Sequence, residues 1–135
     1  MIKPVGSDEL QPRFVYDAEA HQQLSHEAES LPSVVISSQA AGNAVMMGSG
    51  YFNPLSGFMN VADAMGAAER MTLTNGAFFP VPVLCLLDNT DAIQGAGRIA
   101  LRDPNVEGNP VLAVMDVEAI EEVSEEQMAT MTAEV

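Results

Sequence analysis

From Leu31 to Ala62 the chain carries no charged residue, although its 135 residues hold five Lys and Arg and nineteen Asp and Glu. An uncharged stretch of that length belongs in a core or in a membrane. Pro32, Pro54 and the recurring Gly, Ser and Asn of SSQAAGNAVMMGSG interrupt it, so it never offers the run of about 20 apolar residues that a membrane-spanning helix needs. It is therefore read as the part that folds on itself, with the charges outside it as the wet surface. The acids agree: residues 1–30 hold six, 31–87 only two, and 88–135 the other eleven. Apolar residues at 47% and charged residues at 18% are the proportions of a folded soluble domain. A chain of this size can bury about 65–70% of its unfolded surface in one core. The expectation is a single domain over 1–135, with 1–30 as a peripheral lead segment.

The formal net charge is −14, and Lys3, Arg13, Arg70, Arg98 and Arg102 are scattered along the sequence. Five separated cations cannot neutralise a row of phosphates, so neither nucleic acid nor an anionic membrane is expected as a partner. The one cysteine, Cys85, sits in the apolar run Val81–Leu87 and reads as a buried structural thiol rather than a nucleophile. A lone cysteine closes no internal disulfide, and MIKPVGSDEL lacks the apolar centre of a secretory leader. Both points predict a cytoplasmic protein.

Along the chain, DAEAHQQLSHEAES is polar and helix-tolerant, Leu31-Pro32 breaks it, and Ser33–Ile36 is a β-branched run suited to a short strand. Ser37 or Ser38 can cap a following helix that Gly48 or Gly50 ends. Asn60 with Asp63 marks the start of a helix over about Val61–Met71. MTLTNGAFFPVPVLCLL reads as a strand, an Asn75-Gly76 turn and a second strand, with Pro80 and Pro82 confining it to an edge or a strand beginning. Arg98–Arg102 alternates as a half-exposed strand, DPNVEGNP is dense in turn residues, and Pro110–Val117 is the next strand. Ser124-Glu125-Glu126-Gln127 is a capping-box pattern opening a last helix. The sum is an α+β chain with largely antiparallel strands that could curl into a small barrel.

Chemistry is scarce. His21 and His26, five apart, stand about 140° from each other on a helix and share no metal-binding face. Gly48-Ser49-Gly50 and Gly95-Ala96-Gly97 have neither the spacing nor the lysine of a phosphate cradle and read as turns. No serine stands in a nucleophile elbow. Glu121-Glu122 and Glu125-Glu126 read as a solvated helix end rather than an acid pair. In YFNPLSGFMN, Pro54 fixes φ and Gly57 permits a positive one, so the chain can turn sharply while Tyr51, Phe52, Leu55, Phe58 and Met59 reach apolar surroundings.

Five pieces taken in order resemble one family: LPSVVIS (31–37), GYFNPLSGFMN (50–60), FFPVPVLCLLD (78–88), RIALRDP (98–104) and NPVLAVMDVE (109–118). They are similar to the amino-terminal part of sulfate adenylyltransferase, or ATP sulfurylase. The piece over Phe52–Met59 is the most specific. The resemblance implies a PUA-like fold, a small, mainly antiparallel β-barrel with flanking helices. It also implies a full-length enzyme that joins sulfate to the AMP part of ATP, with Mg²⁺ assisting. The family's Gln-x-Arg-Asn-Pro, His-x-x-His and Gly-Arg-Asp segments do not occur here, so no catalytic, cofactor-binding or metal residue is carried over. ATP and Mg²⁺ are implied only for the full-length enzyme. Phe52, Pro54, Leu55, Gly57, Phe58 and Met59 are expected to form a core corner or a domain interface, and the partners implied are the catalytic domain and a neighbouring subunit. The competing expectation is a free-standing PUA-like module that binds RNA or a protein.

Overall fold

The computed structural model describes residues 12–52 and 55–133. Asp17 caps α1 (Ala18–Ser30), its Oδ1 accepting from the Ala20 N–H at 2.8 Å. After β1 (Ser33–Val35) comes α2 (Ser38–Gly48), where the Ser37 hydroxyl accepts from Ala40 N–H. α3 (Val61–Arg70) begins as the sequence predicts, with Asn60 Oδ1 accepting from Asp63 N–H at 2.8 Å. It stops one residue early because Met71 takes a left-handed conformation, φ 52°, and closes the helix. A short 3-10 turn at Asp91–Ile93 leads to β2 (Arg98–Arg102) and β3 (Val111–Asp116). In α4 (Glu125–Ala133) the capping box is reciprocal: Gln127 N–H donates to Ser124 Oγ and Ser124 N–H to Gln127 Oε1, both at 3.1 Å.

Among the described residues three strands form one open sheet in the order β1-β2-β3, mixed rather than mainly antiparallel. β2 and β3 pair antiparallel, whereas β1 lies parallel to β2, with Ser33 opposite Ala100. The reason is the connection: α2 and α3 fall between β1 and β2, and a crossover of that length permits parallel pairing, which a tight turn does not. Arg98–Arg102 does not alternate in burial as its sequence does. Ile99, Ala100 and Leu101 are all buried, because β2 is the central strand with a neighbour on each side. These strands do not close into a barrel.

The expected hairpin is reduced to its turn. Leu73 N–H donates to Ala77 O at 2.9 Å, Gly76 takes φ +89°, and one bridge joins Thr72 to Phe78. No strand continues past it, since Pro80 and Pro82 supply no N–H to a ladder.

The apolar residues gather in two clusters. One joins the alanine face of α3, Ala64, Ala67 and Ala68, to Met47, Val83 and Met131 of α4. The other lies under the sheet and includes Ile36, Ala40, Ile99 and Leu101. Arg98 fastens α1 to the sheet, its guanidinium reaching Asp116 at 2.7 Å and Glu27 at 3.1 Å. Arg102 ties β1 to the β2–β3 turn by donating to Ser33 Oγ and Asn109 O. α1 contributes only Ala28 to the buried residues, so it lies on β3 as a surface layer.

Gly66 is where α3 and the chain leaving it come closest, for a Cβ there would strike the Thr72 carbonyl oxygen. Alanine within a helix is ordinarily about 1 kcal/mol better than glycine. Here the sign should reverse: Gly66→Ala should lower the thermal midpoint of the chain, and an unchanged or raised midpoint would contradict this close approach.

Candidate functional site

The described parts of the stretch, 51–52 and 55–60, form a ridge between two grooves. Leu55 N–H donates to Phe52 O at 2.8 Å, which folds the segment back on itself, while Tyr51 stands 70% exposed. Phe52 packs edge-on against Phe79, with ring centroids 5.8 Å apart. Leu55 reaches the first cluster, and half-buried Phe58 touches both clusters. Gly57 does not use a positive φ; the left-handed glycine at this corner is Gly50, φ 85°. A Cβ on Gly57 would meet nothing within 4 Å among the described residues, so neither the backbone nor the described packing requires glycine there. Pro54 lies outside the described residues.

Met59 is the buried end of the ridge. Its N–H donates to Val83 O at 2.8 Å, and its thioether sulfur accepts from the Val83 N–H at 3.3 Å. The second bond matters because Pro82 has no N–H and Val83 is buried, so the Val83 donor has no water to turn to.

Two open grooves flank the ridge, one of about 1400 Å³ and one of about 830 Å³, and both are lined by Ser56, Gly57 and Phe58. The larger one has a partly apolar floor that includes Leu86 and Ile120, each more than 40% exposed. Among the described residues six carboxylates line it, Asp63, Asp88, Asp116, Glu118, Glu121 and Glu122, and no Lys, Arg or His does. Three of the six are engaged: Asp63 accepts from Thr74 N–H and Oγ1–H, Asp116 faces Arg98, and Glu121 accepts from Val61 N–H. Asp88, Glu118 and Glu122 make no ion pair or hydrogen bond among the described residues. The smaller groove is aromatic at one end, where Phe14 covers Gly48 and meets Tyr16 edge-on at 6.1 Å.

The rest of the titratable set performs no visible chemistry. His21 and His26 are both exposed, and His26 lies 3.9 Å from Glu29. No group of three or more His, Cys, Asp or Glu is placed to hold a metal among the described residues. Glu125 and Glu126 occupy the exposed first turn of α4. Gly48-Ser49-Gly50 follows the carboxyl end of α2, where the helix dipole repels a phosphate. Arg98 is held by Asp116 and Glu27, which raise its pKa, and Arg102 is spent within the fold. These residues do not fit a polyphosphate with its magnesium. Burial pushes the half-buried Cys85 thiol up to about 11, the opposite of what a nucleophile needs.

The family described as PUA-like domain matches residues 2–133. The chain belongs to the PUA-like domain family. Over all 135 residues this PUA-like chain is 75% identical to a sulfate adenylyltransferase of Allochromatium vinosum, covering 34% of that protein. Over 132 residues, 98% of the chain, it is 76% identical to a sulfate adenylyltransferase of the Riftia pachyptila sulfur-oxidizing endosymbiont, covering 30% of it. The chain thus spans about a third of the length of the curated relatives it matches, and it is homologous to the amino-terminal region of sulfate adenylyltransferase. Among solved structures, the hexameric APS kinase from Thiobacillus denitrificans superposes with a TM-score of 0.74 at 31% identity, over 93% of this chain and 24% of that one.

Sequence reasoning singles out the ridge but not the acidic groove beside it. Its acids come from α3, the 88–91 turn, β3 and the loop before α4, and the only signal was the density of acids after residue 88.

Exchanging Met for Leu in a core usually costs less than about 1.5 kcal/mol. Met59→Leu should cost about 1–3 kcal/mol in urea unfolding, since it leaves the buried Val83 N–H without an acceptor. A loss near zero would show that the sulfur contact is dispensable. For Cys85, the folded state keeps its proton up to about pH 11 while the unfolded thiol loses it near its ordinary value of 9.0. Stability should therefore be level below that lower value and fall as pH rises from there towards 11. Unfolding midpoints of the chain and of Cys85→Ser across pH 8–11 check this, because only the parent should show that fall.

Proposed function

We infer that this chain is the amino-terminal structural domain of a sulfate adenylyltransferase, and that the complete enzyme transfers adenylyl from ATP to sulfate, giving adenosine 5′-phosphosulfate and pyrophosphate, or runs the reverse. The observation that carries this is the match of the whole chain, at 75% identity, to about a third of a protein of that name. Joining a polyphosphate to a dianion needs clustered cations, N–H donors and usually a metal. The two best-placed arginines here are already engaged, and the larger groove is lined by carboxylates. ATP and Mg²⁺ accordingly belong to the remaining two thirds of the enzyme, and this chain alone carries no catalytic role.

In this reading residues 1–135 act as one domain in the cytoplasm. Among the described residues no helix is long and apolar enough to cross a membrane. The segments around Thr72, Phe78 and Val83 extend the open sheet toward a barrel-like wall, supported by the Thr72–Phe78 bridge and the Met59–Val83 pair. Phe52, Leu55, Gly57, Phe58 and Met59 of the ridge, with Pro54 of the same sequence motif, serve partly as core and partly as the interface to the catalytic portion. Gly57 supports this, because its lack of a side chain serves no contact among the described residues. A neighbouring subunit is a second partner in the assembled enzyme, in keeping with a fold neighbour described as hexameric. RNA binding, the alternative use of a PUA-like fold, is disfavoured by the −14 charge.

The test replaces the matching third of the Allochromatium vinosum relative with this chain. The chimera should release pyrophosphate from ATP and sulfate, and the 135-residue chain by itself should release none. Activity in the isolated chain, or a folded but inactive chimera, would overturn the reading.

A further inference from the structure

Among the described residues the larger groove gathers six carboxylates on one surface. Among the described residues its six carboxylates share the lining with no Lys, Arg or His, and Asp88, Glu118 and Glu122 make no ion pair or hydrogen bond. Between them Leu86 and Ile120 present apolar surface to solvent. The segment Glu118–Glu122 that forms one rim is in neither helix nor strand, and its backbone N–H groups make no hydrogen bond among the described residues. The groove is also bordered by the ridge at Ser56–Asn60 and by Val123 and Met128, at the approach to and start of α4. A surface with an apolar floor, an open backbone edge and uncompensated negative charge is matched by an apolar surface edged with Lys and Arg. It repels nucleotides, phosphate and acidic proteins alike.

Resting on the domain assignment above, we propose that this acidic groove is the seat for the catalytic portion of the same enzyme, which docks there through an apolar patch rimmed by Lys or Arg. The relatives supply an occupant of sufficient size, for the chain accounts for only 34% of the Allochromatium vinosum protein. The aromatic groove on the other side of the ridge lacks this charge pattern, since Arg13 and His21 line it together with Glu29. Docking covers the Glu118–Glu122 backbone and places cations opposite Glu118 and Glu122.

Hydrogen exchange of the 118–122 segment in the chimera described above tests the proposal, with the isolated chain as reference. In the isolated chain these amides should exchange rapidly. In the active chimera they should slow by about tenfold or more, as expected when an open segment becomes covered. The double substitution Glu118→Lys and Glu122→Lys, or 0.5 M NaCl, should return the exchange toward the rate in the isolated chain, because rim charges are screened by salt. Tyr16→Ala in the other groove should leave the protection intact. Equal exchange in the active chimera and the isolated chain would overturn the proposal while leaving the domain assignment standing, as would protection indifferent to both charge reversal and salt. A folded chimera without adenylyl transfer would overturn both.

Discussion

The reciprocal pair between Met59 and Val83 holds the two halves of the fold together. One residue follows the uncharged corner and the other follows two prolines, so each lies in a segment that no regular ladder can stabilise. The backbone bond to Val83 O and the sulfur contact from Val83 N–H satisfy donors that burial would otherwise leave unpaired. Phe58, the preceding residue, then reaches both apolar clusters, and Cys85, two residues beyond Val83, packs on the sheet cluster. The helical cluster under α3 and α4 and the cluster under the sheet are thereby neighbours along one crossing rather than two separate cores.

That crossing also shapes the outside. The ridge at 56–58 exists because Phe58 and Met59 are drawn inward on one side of Gly57, while Leu55 is held by the turn to Phe52 on the other. The two grooves are what remains on either flank. Their opposite characters follow from which elements border them: α1 and its aromatic lead on one side, the acid-bearing loop between β3 and α4 on the other.

Local signals in the sequence were legible where they rest on short-range physics. The caps at Ser37, Asn60 and Ser124 sit where their side chains can reach an N–H two or three residues on, and all three form. The Asn75-Gly76 turn forms for the same reason. The strands around it do not, since pairing is a long-range event and the prolines remove the donors on that side. The buried middle of Arg98–Arg102 misleads a pattern reading because a central strand is covered by neighbours its own sequence does not name. Gly57 misleads differently: a glycine three residues after a proline reads as a left-handed turn, yet the left-handed residue is Gly50, on the other side of the tyrosine.

The sequence by itself determined the helix starts, the concentration of the core in residues 31–87 and, through YFNPLSGFMN and its companion pieces, the family. These depend on composition, nearest neighbours and residue identity, which the chain carries without folding. Only the tertiary structure decided that β1 runs parallel to β2, that a thioether answers a proline-flanked N–H, and that acids from four separate segments share one groove. Those facts join residues dozens of positions apart, and such contacts are set by how the whole core packs rather than by any stretch of it.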